Sequence, residues 1–214
     1  MQFYVRREPP FGHRSGRRYL LLHGNENTAR EVLEVHMDMY SGTAYLIDNT
    51  DRYVTIEGAK IDPNRLFSRV GAEKSVRDQN PGIAADKVEA VLSFLDHHRD
   101  ELIRRVEPEK GELLLALHNN QEYSVKEEIA QSDDTSIPQP NHPREFFLCT
   151  DPKDFAALKK SPYNVVLQNK RPAEDDGSLS RLAAKRGFRY VNLECGVGEI
   201  EDQLEMVRWM EDHL

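Results

Sequence analysis

The chain has 214 residues, of which 29 are Lys or Arg and 37 are Asp or Glu, for a formal charge of -8. With 38% hydrophobic and 31% charged residues, it reads as a folded domain and excludes disordered, fibrous and membrane-spanning classes. The negative balance disfavours non-specific binding to nucleic acid or anionic lipid, so the expected partner is a small acidic or peptidic substrate.

In chain order, Met1 to Arg7 lacks the apolar core of a secretory signal. Strands are expected at Tyr19–Leu22, Ala44–Ile47, Tyr53–Ile56, Glu112–Leu117, Phe146–Cys149, Val165–Gln168 and Tyr190–Leu193, several of them continuous apolar runs suited to a sheet buried on both faces. Helical periodicity covers Asn27–Met39 and Ala84–Val106. A short helix is expected after Asp151-Pro152, a second over Leu179–Arg186 between Ser178 and Gly187, and a last one over Glu199–His213. Lys60–Gly82 and Lys126–Pro143 read as long loops. The longest apolar run, Leu113–Leu117, is far below the ~20 residues of a membrane helix, so no membrane insertion is expected. Alternating strands and helices predict one domain over residues 1–214, a three-layer α/β/α arrangement with a mixed, mostly parallel sheet. Cys149 and Cys195 form no disulfide framework. A cytoplasmic location is the default, and a periplasmic or secreted one follows if a signal peptide has been removed.

Four short stretches carry chemistry. His23-Gly24-Asn25-Glu26 follows a strand and opens a helix, so an imidazole and a carboxylate three residues apart can meet one cation; a polar loop with an acid in the first helical turn is the plainer reading. His118 ends an apolar strand, where ligands of open α/β sheets collect, although a strand-end histidine can be purely structural. Asp62-Pro63-Asn64-Arg65 offers amide donors and a guanidinium fork suited to a carboxylate; it also reads as a turn. Arg52 to Arg77 contains six basic and three acidic residues, a local excess that would focus an anion. Glu194 ends another apolar strand, where an acid needs a partner or a task; a structural ion pair is the alternative.

In that order and rough spacing the four stretches resemble the zinc carboxypeptidase superfamily, which includes carboxypeptidase A-like peptidases and the succinylglutamate desuccinylase and aspartoacylase deacylases. The resemblance implies one Zn2+ per chain held by His23, Glu26 and His118, a substrate carboxylate gripped by Asn64 and Arg65, and Glu194 as general base. It further implies an arginine that polarises the scissile carbonyl, for which Arg52 is the candidate, and a tyrosine at the substrate, for which Tyr123 and Tyr163 both qualify. The expected activity is metallohydrolysis of a C–N amide bond in a carboxylate-bearing substrate, first as a carboxypeptidase-like peptidase acting on a peptide or peptidoglycan-type peptide. Deacylation of N-acyl amino acids is the alternative, suggested by Gly24-Asn25. A non-catalytic peptide-carboxylate binder is the alternative of another class. Only twenty residues follow Glu194, so the extra C-terminal β-rich domain of the deacylases is not expected, and Pro63 stands where the superfamily has an apolar residue before Asn-Arg.

Overall fold

The computed structural model describes residues 3–7, 17–170 and 174–214. Its centre is an eight-stranded sheet built from β1 (Phe3–Arg7), β2 (Arg18–Leu21), β3 (Thr43–Ile47), β6 (Leu113–Asn120), β7 (Asp134–Ser136), β8 (Phe146–Cys149), β9 (Asn164–Leu167) and β10 (Arg189–Gly196). The spatial order is β1-β3-β2-β6-β10-β8-β9-β7. Four of the neighbouring pairs, β3/β2, β2/β6, β6/β10 and β8/β9, are parallel, whereas β1/β3, β10/β8 and β9/β7 are antiparallel. The expected three-layer fold with a mixed, mostly parallel sheet is therefore present.

Period-two alternation sorts the central strands onto two faces. Leu115, Leu117, Val191, Leu193 and Cys195 form one core with helices α1 (Asn27–Met39), α5 (Pro152–Leu158) and α7 (Ile200–His213). Leu114, Ala116 and Tyr190 form another with Ile103 and Val106 of α3 (Ala85–Val106) and with α6 (Leu179–Arg186). By the same alternation His118, Asn192 and Glu194 fall on this second face. They sit at the carboxyl ends of β6 and β10, where the apolar filling stops.

Three expectations need correction. Lys60–Gly82 is not a loop. It contains most of β5 (Ala59–Ile61), which pairs with β4 (Val54–Ile56) in a separate hairpin, then a 3-10 turn over Pro63–Arg65, then helix α2 (Arg69–Gln79). Helix α2 escapes hydrophobic periodicity because its buried face is made of small residues, Gly71, Ala72, Ser75 and Val76. It starts at Ser68, whose Oγ accepts from Gly71 N at 3.1 Å, a side-chain cap. The second stretch, Lys126–Pro143, holds most of α4 (Val125–Ile129) and strand β7. Ser124 and Glu127 form a reciprocal capping box at the start of α4, and β7 is short, polar and at the sheet edge. The segment expected at Tyr53–Ile56 is a strand, but it belongs to the hairpin and not to the central sheet.

Candidate metal centre

His23 follows β2, Glu26 immediately precedes the first residue of α1, and His118 lies in β6; all three are buried. His23 Nδ1 is 2.8 Å from Glu26 Oε1 and 3.3 Å from His118 Nδ1, and His118 Nδ1 is 3.0 Å from Glu26 Oε2. Two donors each ~2.0–2.1 Å from a tetrahedral cation lie ~3.3 Å apart, so the two imidazole nitrogens already stand at the spacing of ligands sharing an ion. This buried trio could hold a metal ion. Two imidazoles and one carboxylate suit zinc and leave a fourth position open.

The electrostatics are those of a preassembled group. Burial would raise the Glu26 carboxyl, but His118 and His23 beside it bring it down to about 2. Burial would lower His23, yet the Glu26 carboxylate and the Asp62 hydrogen bond raise it to about 9. Asp62 itself, although partly buried, is held well below the usual carboxylate range by His23 and Arg52. Its Oδ1 lies 2.9 Å from His23 Nε2, which keeps that nitrogen the protonated one in the neutral ring, so that Nδ1 is the nitrogen that offers a lone pair once the imidazolium gives up its second proton. The motif containing Asp62 was legible, but nothing in it distinguished Asp62 from a turn residue.

Because Glu26 spends its side chain on the histidines, it cannot cap its own helix, and α1 has no cap from its N-cap residue. Asn119 supplies one from outside, its Oδ1 accepting from Ala29 N at 3.0 Å. Residues 118 and 119 thus work on opposite faces of β6, one for the donor trio and one for the helix that carries Glu26.

The trio opens into a cavity of about 700 Å³ whose walls include Arg52, Asn64, Arg65, Tyr123, Glu128, Arg181, Asn192 and Glu194. Arg52 is half-exposed, 3.4 Å from Glu26 Oε1 and 3.6 Å from Asp62 Oδ2. Asn64 uses its Oδ1 to accept from Leu179 N at 3.0 Å, so its Nδ2 donors are what it has left for a ligand. Arg65 donates to Asn64 O at 2.8 Å and makes a loose ion pair with Asp176 at 3.9 Å. Glu194 stands in register opposite His118 on the neighbouring parallel strand. Burial raises its proton affinity, and the nearby Glu26 charge adds to this, against the opposing pull of His118, Asn120 and Asn192; the net shift is upward.

The two tyrosines part company. Tyr123 lines the cavity, but its hydroxyl donates to Glu128 and its ring lies against Phe146, so it is a fixed wall residue. Tyr163 does not line the cavity. It is half-buried and sits edge-on to Phe147 against the core, with Glu205 and Asp202 as its charged neighbours, and the substrate role expected for it is withdrawn. Arg181 is a wall residue that periodicity concealed: it follows Ser178, the cap of α6, and reaches Gln168 with its guanidinium. Arg69 and Arg77 bond to surface acids, Arg69 to Glu89 and Asp96 and Arg77 to Glu73.

Fold and site together define an α/β/α protein with a buried His-Glu-His group at the carboxyl ends of its central strands. No protein-family model matches the chain, and no curated protein matches it either. Among solved structures, N-formylglutamate amidohydrolase from Ralstonia eutropha JMP134 aligns over 99% of this chain and 96% of its own, at 13% identity and a TM-score of 0.42. A candidate metallopeptidase from Shewanella amazonensis SB2B aligns over 98% of this chain and 79% of its own, at 10% identity and a TM-score of 0.36. Both likenesses are distant, and what this chain can do follows from its own residues. No helix among the described residues is long and apolar enough to cross a membrane.

Proposed function

We propose that the protein is a zinc-dependent hydrolase that cleaves an amide bond in a polar, carboxylate-bearing substrate. His23, Glu26 and His118 would hold the ion, which would supply Lewis acidity toward a carbonyl oxygen and toward water. The observation that carries the reading is Glu194: a second buried carboxylate, outside the donor trio, opposite His118 and lining the same cavity. Its raised proton affinity suits a group that takes a proton from the attacking water and passes it to the leaving nitrogen. Arg52, at the rim beside Glu26, would share the charge that develops on the carbonyl oxygen. Arg65 and the Nδ2 of Asn64 hold the substrate carboxylate.

A carboxypeptidase-like action on a polar peptide, including a peptidoglycan-type peptide, is the first form of this reading. Deacylation of an N-acyl amino acid is the second. Arg181, Gln168, Glu128, Ser178 and Ser180 make much of the cavity wall polar, which supports a polar substrate in either form.

The test loads the protein with zinc and follows amine release from short polar peptides and from N-formyl, N-acetyl and N-succinyl amino acids. Glu194→Gln should retain zinc and lose about 10²–10⁴ in rate. Full activity in that variant would remove the mechanism. A protein that takes up no stoichiometric zinc, yet binds peptide carboxylates, would be a binder and not an enzyme.

A further inference from the structure

Glu194 is held by neutral donors on both of its oxygens. Oε2 accepts from Asn120 Nδ2 at 3.0 Å and Oε1 accepts from Asn192 Nδ2 at 3.1 Å. Asn192 lies two residues earlier on β10 and so shares the face of Glu194. Asn120 ends β6 in register with Gly196, and its Nδ2 also lies 3.3 Å from Arg144 O. Both asparagines are buried, and the Oδ1 of each has no hydrogen-bond partner among the described residues. An ionised carboxylate has acceptors only, so it turns each amide nitrogen toward itself even though each amide oxygen stays unpaired. No described lysine or arginine forms an ion pair with Glu194.

A guanidinium in the same place would orient the carboxylate and also quench it as a base. Two amides orient it and leave its charge uncompensated. We propose that Asn120 and Asn192 are positioning residues for Glu194, holding its carboxylate in one orientation toward the cavity while each oxygen keeps a lone pair for the water it deprotonates. This rests on the reading of Glu194 as the base.

The test uses Asn192→Leu and Asn120→Ala in the full chain, with crystal structures, zinc affinity by competition with a chromophoric chelator, and kcat and KM for amine release. Displacement of the Glu194 carboxylate is expected in the electron density, with His23, Glu26 and His118 unmoved and zinc affinity unchanged. The kcat should fall about 10- to 100-fold, as for a misplaced reacting group, with KM unchanged. An undisplaced carboxylate overturns the proposal, as does a joint loss of kcat, zinc affinity and melting temperature, which marks a merely structural role. If Asn192→Leu does not fold, Asn192→Ala removes the donor without adding a charge or a new proton, and an undisplaced Glu194 there is equally decisive. Inactive Glu194→Gln beside fully active asparagine variants overturns this inference alone, whereas active Glu194→Gln overturns the underlying reading.

Discussion

Asp62 Oδ1 sits 2.9 Å from His23 Nε2, across the ring from the Nδ1 that faces Glu26 at 2.8 Å. A carboxylate behind a ligating imidazole fixes its tautomer and strengthens it as a donor. Asp62→Asn keeps the side-chain oxygen that accepts from Asn64 N, so the 3-10 turn survives while the charge is lost. Zinc affinity should fall about 10- to 100-fold, measured by competition with a chromophoric chelator. Unchanged affinity would show that Asp62 serves the turn alone.

The donor trio makes the metal-free protein sensitive to pH in both directions. His23 rises from 6.5 to about 9, so its stabilising contribution is complete below 6.5 and is lost as the pH climbs through about 9. Glu26 falls from 4.5 to about 2, so its contribution is complete above 4.5 and is lost as the pH drops through about 2. The metal-free melting temperature should therefore be highest between about 4.5 and 6.5 for this group's part, and His23→Ala should flatten the alkaline side of the profile. An alkaline limb of the same size in that variant would assign it elsewhere.

Proton release gives a second reading of the same group. At neutral pH the imidazolium of His23 must lose its proton before its Nδ1 can bind a cation. Zinc uptake at pH 7 should release about one proton from this residue, an amount that vanishes well above pH 9. Calorimetry in buffers of different ionisation enthalpy measures it, and His23→Ala should remove it.

Asn119→Ala should cost about 1 kcal/mol, as for a lost helix cap, because Glu26 cannot cap α1 while it faces the histidines. Chemical denaturation would show the loss. Restoration by Asn119→Asp, which keeps the acceptor, would tie it to the bond with Ala29 N.

At Gly71, α2 lies against the segment leading to α6. A Cβ built there meets Asp176 O at 2.3 Å and Gly177 Cα at 2.3 Å, both backbone atoms. Gly71→Ala must therefore move a main chain, with a loss of about 1–3 kcal/mol by thermal or chemical unfolding. Since Asp176 stands between Arg65 and Arg181, KM for the substrate should rise more than kcat falls.

The central strands and the donor trio were legible because their signals are local. Continuous apolar runs mark strands buried on both faces, and His23, Glu26, His118 and Glu194 stand where such runs end or a helix begins. Helix α2 was not legible, since small residues against a close backbone give no hydrophobic stripe. The sequence by itself determined which residues had chemistry to offer and that a mixed α/β sheet would present them at one end. Tertiary structure alone decided who supports them. Asp62 reaches His23 across 39 residues, Asn120 reaches Glu194 across 74, and Asn119 reaches Ala29 across 90. Tertiary structure also separated the tyrosines, putting Tyr123 in the cavity wall and Tyr163 against the core. Such partnerships depend on strand order and register, which bring distant positions within hydrogen-bonding reach and leave no trace in local spacing.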